Sequence, residues 1–306
     1  MMLQPWAGTA RAAQAASAAR GSARDHRSEE SGSRGNRAGR PLIVHADDFG
    51  ETLEITQGIR LAIEAGVLTS TSIMANMPGT RDALQQVAGL ADRASFGVHL
   101  NLCEGRPLTP ARSLVDGSGR FCSKRTLAAR SVTGQLVLAD VEREIAAQIG
   151  FVRDHGVSIS HLDGHKHLHQ LPVVSTAVAN VLPRFVIRRV RITRLGGVLR
   201  ARGATLLVRE LLAMKASRKF QRAGLRSPVR IVDLQAFMSL GARPTRGSCV
   251  DSRGPVELCC HPGTAAADVQ KPGSHGRHAE LEFLLSPRFP ELLAANDARL
   301  VSYWDV

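Results

Sequence analysis

Four of the chain's eleven histidines lie between His161 and His169, on alternate positions, and Asp163 fills the remaining slot of that alternation. Imidazole and carboxylate are the usual protein ligands of divalent metals, so this tract has the residue types for a metal centre. Two further polar stretches strengthen that reading. In Leu42-Ile43-Val44-His45-Ala46-Asp47-Asp48-Phe49-Gly50 an apolar run ends in adjacent carboxylates and a glycine. Neighbouring aspartates repel, so a site that holds both usually contains a cation or keeps one protonated. A lone aspartate there would read as a helix N-cap. In Phe96-Gly97-Val98-His99-Leu100-Asn101-Leu102 a histidine sits within a strand-like run, where by itself it would read as a core histidine with a satisfied hydrogen bond.

These residues need elements that bring them together. Strand-like runs are expected at Leu42–Ala46, Thr71–Met74, Phe96–Leu100, Ser158–Leu162, Val190–Ile192, Val256–Cys260 and Leu300–Ser302. Helical patterns fall at about Leu53–Ala65, Arg81–Leu90, Leu138–Asp154, Val173–Val181 and His278–Ala294. Such alternation predicts an α/β fold with a parallel sheet. The polar motifs share one position. Asp47 and Asp48 follow the first strand, His99 closes its own, and Asp163 with His165 follow the next. His261 follows Val256–Cys260. In a parallel barrel all strand C-termini open on one face, where active sites lie. Patterning alone does not separate a barrel from an open doubly wound sheet.

The ordered motifs Ala-Asp-Asp-Phe-Gly at Ala46–Gly50, Gly-x-His-x-Asn-Leu at Gly97–Leu102 and His-x-Asp-x-His-x-His-x-His at His161–His169 resemble those of the YdjC-like carbohydrate deacetylases. Glu257-Leu258-Cys259-Cys260-His261-Pro262-Gly263 is similar to that family's late His-Pro-Gly motif, and Leu300-Val301-Ser302-Tyr303 fits its tail. The resemblance covers roughly residues 41–306. It implies a (β/α) barrel, irregular or incomplete, and hydrolysis of the acetamide of an N-acetylated sugar or oligosaccharide. Chain length and lipid linkage of that sugar stay open. It assigns metal ligation to Asp48, His99 and His165, the general base to Asp47 and the general acid to His261. His161, Asp163, His167 and His169 then orient ligands or touch substrate. Arg191 and Arg194 read in one of two ways: they hold Asp47 ionised or bind sugar hydroxyls, or they are part of the general basic surface. One divalent ion is implied: Mg²⁺ by the resemblance, Zn²⁺ or a similar ion by the ligand chemistry. His45 departs from the family pattern, where Asn or Thr commonly precedes Ala-Asp-Asp.

Composition bounds these readings. The chain has 306 residues and a formal charge of +13. No run reaches the roughly 18 apolar residues of a membrane span. Five cysteines form no Cys-x-x-Cys pair, which suggests reduced thiols and a cytoplasmic protein, with Cys259 and Cys260 as small core residues. Residues 1–40, rich in Ala, Arg, Ser and Gly, read as a disordered extension ahead of one domain at 41–306. Between Arg184 and Arg230, Glu210 is the only acid. That stretch reads as a basic helical insertion, either a solvated face or a contact for an anionic partner such as a membrane surface. Two rival functions remain: another metal-dependent hydrolase such as a phosphoesterase, and a basic nucleic-acid-binding protein. With one tyrosine and two tryptophans, stacking platforms for nucleic acid are poorly supplied.

Overall fold

The first strand shows how the sequence folds, because it alternates two chemistries. In β1 (Arg40–Phe49), Leu42, Val44 and Ala46 join the large apolar core, while Ile43, His45 and Asp47 face the other way. A strand sends successive side chains to opposite faces, so this sequence lays one apolar and one largely polar surface on a single element. The same alternation recurs in β2 (Ser70–Ile73), β3 (Ser95–Leu100), β4 (Ile159–Gly164) and β6 (Val256–Cys260). The computed structural model describes residues 39–193, 204–239, 254–270 and 276–306. Residues 1–38 of the expected extension, Arg194, and the rest of the 194–203 stretch of the basic segment lie outside them.

The strands form one parallel sheet in the order β4-β3-β2-β1-β6-β5, where β5 is Arg230–Asp233; β7 (Ala298–Leu300) pairs with the start of β1. The sheet curls. Leu162 of β4 bridges Val190 and Arg189 bridges Arg226, both in parallel, and β5 begins four residues beyond Arg226. The path thus returns towards its start through the 226–230 segment, giving an irregular α/β barrel with an incomplete ring of strand pairing. The expected strand at Val190–Ile192 is reduced to bridges: Val190 donates to Arg226 O, and Arg191 donates to Leu162 O.

Helices cover the apolar face. α1 (Leu53–Glu64) is capped by Thr52, whose side chain accepts from Ile55 N. It buries Ile55, Ile59 and Ile63 under β1. α2 (Thr80–Leu90), α3 (Lys124–Thr133), α4 (Leu138–Asp154), α5 (Pro172–Val181) and α6 (Ala204–Arg222) follow in chain order. α4 contributes Val141, Ile145, Ile149 and Val152, all fully buried. Each such side chain is worth about 1.5–3 kcal/mol when removed from water. The helical pattern expected at His278–Ala294 is two helices, Arg277–Leu285 and Arg288–Ala295, because Ser286-Pro287 breaks it. No helix among the described residues is long and apolar enough to cross a membrane.

The inner face is different. A small apolar plug of Ile43, Val301 and Tyr303 lies at one end. Tyr303 stacks on His161 with ring centroids 3.6 Å apart and planes within 4°. Gly97 in β3 makes room for that ring, since a Cβ there would lie 2.5 Å from His161 Cε1. Beyond the plug the interior is polar, and it leads to the C-terminal ends of the strands.

Candidate active site

Both aspartates reach the same face through a backbone irregularity. Register between β1 and β2 shifts between Ala46 and Phe49, and Asp48 adopts φ 71°. Aspartate tolerates this left-handed region better than most residues, but at a cost in strain. Regular alternation would send Asp48 outward. The shift turns it beside Asp47 instead, and returns Phe49 to the apolar core against Phe96.

Asp48 gathers the two expected histidines. Its Oδ1 lies 2.9 Å from His165 Nδ1 and 3.2 Å from His99 Nε2. Ligand atoms of all three residues fall within 4.8 Å of one another, and all three are buried. On the far side of the His99 ring, Nδ1 lies 2.8 Å from Asp163 Oδ1. Ser72 Oγ donates to Asp163 Oδ2 at 2.9 Å. A carboxylate behind an imidazole fixes the tautomer and turns the other nitrogen outward, the usual support of a metal-ligating histidine. His99 Nε2 is buried, has no hydrogen-bond partner among the described residues, and lies 3.2 Å from Asp48 Oδ1. His165 is similarly backed: its Nε2 lies 3.2 Å from Glu104 Oε1, which also pairs with Lys166. These donors fit a divalent cation.

The electrostatics favour a positive charge at this point. Burial opposes a charged ring at His99, yet Asp163 and Asp47 overcome it and raise its pKa well above the ordinary value. Burial likewise opposes ionisation of Asp48, but His165 and His99 hold its carboxyl well below the usual range. Arg277, which no motif pointed to, donates to Asp48 Oδ2 at 2.6 Å and reaches Glu51 Oε2 at 3.2 Å.

Asp47 has a separate environment. The guanidinium of Arg191 grips it with two bonds, Nη1 to Oδ2 at 2.9 Å and Nη2 to Oδ1 at 2.7 Å. Arg191 is fully buried and also holds Asp163 at 3.0 Å and Glu257. Its backbone carbonyl lies 3.0 Å from His169 Nε2. Burial pushes the Asp47 carboxyl up, but Arg191 and then His99 hold it well below the ordinary range, so it is an anion. His45 Nε2 lies 3.3 Å from Asp47 Oδ1 and 3.2 Å from Asp163 Oδ2. The residue that departs from the family pattern therefore bridges two carboxylates.

His261 Nε2 stands 3.9 Å from Asp47 Oδ2. Its turn is clamped from behind. Its backbone N–H donates to Glu280, and Thr264 N donates to Glu54 O of α1 at 3.2 Å. Gly58 makes this approach feasible, because a Cβ there would meet Gly263 Cα at 2.5 Å.

All five expected site residues thus meet at one mouth. Of the four supporting residues, Asp163 and His169 touch this network, His161 lies deeper, against Tyr303, and His167 is half-buried with φ 59°. Arg191 takes the Asp47-holding role expected of it. Cys260 packs in the core as expected; Cys259, on the opposite face of β6, belongs to a close Asp47–Cys259–His261 group. Asp163, the spare carboxylate a two-metal phosphoesterase would need, lies within bonding distance of His99, Ser72, His45 and Arg191.

Comparison with known proteins points the same way. A family model described as YdjC-like protein matches residues 41–295. A carbohydrate deacetylase of Mus musculus is 32% identical over 87% of this chain and 94% of its own length. A chitooligosaccharide deacetylase of Yersinia enterocolitica is 30% identical over 86% of this chain and 98% of its own. A carbohydrate deacetylase of Vibrio cholerae is 28% identical over 86% and 94% respectively. A solved Enterococcus faecalis V583 protein, whose description proposes cellobiose-phosphate cleavage, superposes with a TM-score of 0.68 at 23% identity. The match covers 87% of this chain and 98% of that one, a likeness of fold alone.

Proposed function

The chain belongs to the YdjC-like protein family, and from that premise we propose that it hydrolyses the acetamide of an N-acetylated sugar with the help of one divalent metal ion. It is a hydrolase of amide carbon–nitrogen bonds, as its carbohydrate deacetylase relatives are. The observation that carries the metal-dependent reading is the Asp48–His99–His165 cluster, with Asp163 behind His99. Those three residues would hold the ion, which would lower the pKa of a water and polarise the acetamide carbonyl.

The chain's own groups then handle the protons. Asp47, kept anionic by Arg191, stands next to the ligand Asp48 and accepts the proton of the attacking water. Water oxygen bonds to the carbonyl carbon, and the carbon–nitrogen bond breaks. His261 gives its proton to the departing nitrogen, which leaves as the sugar amine while acetate remains. The 3.9 Å between His261 Nε2 and Asp47 Oδ2 lets both groups address one acetamide. Arg191 and His45 keep the base in place.

The basic segment adds a second element of this reading. α6 buries Ala213, Ala216 and Phe220 but exposes Leu207, Val208 and Leu211 beside Arg209, Lys215 and Arg218. That pattern supports contact with an anionic membrane surface. Sedimentation with anionic vesicles that falls as salt rises would support it; equal binding to neutral vesicles would not.

The activity itself is tested by acetate release from N-acetylglucosamine oligomers after chelation and after metal is returned. Release that depends on added Mg²⁺ or Zn²⁺ is expected. Release undiminished in a protein shown to be metal-free would overturn the metal-dependent reading.

A further inference from the structure

We propose that Asp47, Cys259 and His261 form a second cation site, selective for thiophilic ions such as Zn²⁺ or Cd²⁺, whose occupation blocks catalysis. Its existence stands on geometry alone; that its filling inhibits rests on the roles read above for Asp47 and His261.

Cys259 lies opposite His45 in the β1–β6 pairing and shares the inward face of β6 with Glu257. Its neighbour Cys260 faces the apolar core and donates to His45 O at 3.2 Å. Cys259 is 4% exposed and is a free cysteine. Its sulfur, an Asp47 oxygen and a His261 nitrogen all lie within 4.8 Å of one another. Tetrahedral zinc, with Zn–S near 2.3 Å and Zn–N near 2.0 Å, sets its ligand atoms about 3.3–3.7 Å apart. Closure by about an ångström completes the site. His261, with a side chain 16% exposed, is the ligand at the solvent edge and can supply that movement.

The surrounding charge permits a dication. Asp47, Asp163 and Glu257 all converge on the single guanidinium of Arg191, so carboxylates outnumber it. On binding, sulfur bonds to the ion and the thiol proton leaves to solvent. The Asp48–His99–His165 cluster contains no sulfur. Mg²⁺, which prefers oxygen ligands, has no reason to enter the thiol-bearing group. Zn²⁺ suits both. A thiophilic ion at Asp47 and His261 would occupy the proton acceptor and the proton donor together. Activity should therefore rise and then fall as Zn²⁺ is added, and only rise with Mg²⁺.

The test uses the full chain loaded with Mg²⁺ and titrated with Cd²⁺. Two quantities are followed: the ultraviolet thiolate-to-cadmium charge-transfer band and acetate release. The expected result is a band that grows in step with loss of activity, both reversed by a chelator. Cys259→Ser should keep Mg²⁺-supported activity, lose that band, and shift the inhibiting Cd²⁺ concentration upward by at least about 10-fold, the lower range for loss of even a supporting contact. Cys103→Ser should behave like the parent chain. If Cys259→Ser does not fold, Cys259→Ala and His261→Gln, read by the band alone, carry the same test. No band in the parent chain, or a band unchanged by all of these Cys259 and His261 substitutions, overturns the site. A band without inhibition keeps the site and overturns its blocking role. Because the band needs no turnover, failure of the deacetylase reading leaves the metal-binding result intact.

Discussion

The two faces of the sheet are made by the same strands and built from opposite materials. Outward, Val44, Ala46, Val98, Leu162 and Leu258 pack against helices in a continuous apolar shell. Inward, His45, Asp47, His99, His161, Asp163, Glu257 and Cys259 fill the barrel with ionisable groups. Barrel interiors are more often layers of branched apolar side chains. Here one face of each strand supplies most of the apolar burial, and the other gathers the ionisable groups of the candidate site. The buried charges are tolerated because they are paired and hydrogen-bonded, chiefly around Arg191.

The sharpest way to break this division is to change inner residues that should matter only for chemistry. Asp47→Asn should retain metal and a near-normal melting temperature, yet lower turnover by about 10²–10⁴-fold, the usual effect of losing a general base. Asp48→Ala should lose metal and activity together. Metal analysis, melting and acetate release on both variants check this. An empty Asp47→Asn with a loaded Asp48→Ala would reverse the two roles.

Arg191→Met should come next in size, because it breaks stability from within. It leaves Asp47, Asp163 and Glu257 buried without their shared cation, a change that typically costs about 3–5 kcal/mol. Denaturant unfolding measures it, and a stability unchanged from the parent would show that the interior does not depend on this residue.

Ile149→Ala tests the shell. It removes a fully buried α4 side chain and should destabilise by about 2–5 kcal/mol. Turnover measured well below its melting temperature should stay close to that of the parent. A fall in turnover as large as that of Asp47→Asn would mean that shell and interior are not separable.

Glu280 supplies the finest contrast, as an acid buried on the outer side. Interior Asp47 is held down by Arg191, whereas burial raises the Glu280 carboxyl to about 7, against the pull of the His261 backbone N–H. Between its unfolded value of 4.5 and about 7, the unfolded chain ionises and the folded chain does not. Folded stability from this group is therefore undiminished below the lower value and declines as pH rises through the window. Glu280→Gln keeps an acceptor for His261 N–H and removes the titration. Its stability relative to the parent should climb from pH 4.5 to 7 by up to about 3 kcal/mol, at 1.36 kcal/mol per unit. A pH-independent difference would show that the group is not raised.

The strand ends that carry the site were legible because carboxylates and imidazoles interrupt otherwise apolar runs at Asp47, His99, Asp163 and His261. The ring of supports was not. Ser72 and Glu104 are ordinary residues in sequence, and Arg277 reaches Asp48 across 229 positions. Such contacts follow from tertiary packing, which no local period records. β5 was missed because Arg230-Ile-Val-Asp233 places charges at both ends of a very short run. The inner alternation was partly hidden too. Leu42-Ile43-Val44 looks uniformly apolar, and only the structure separates its members between the shell and the plug.

The register shift in β1 has a mechanical consequence. Asp47 and Asp48 are neighbours along the chain, so their Cα atoms stay about 3.8 Å apart whatever the barrel does. His99, His165 and His261 ride on other segments, and their distances to that pair vary with every breathing motion of the sheet. The aspartate pair is thus the fixed jaw of a vice, and the imidazoles are its moving parts. Flexing of the sheet would change the distances from the imidazoles to this pair while the Cα atoms of Asp47 and Asp48 keep their spacing.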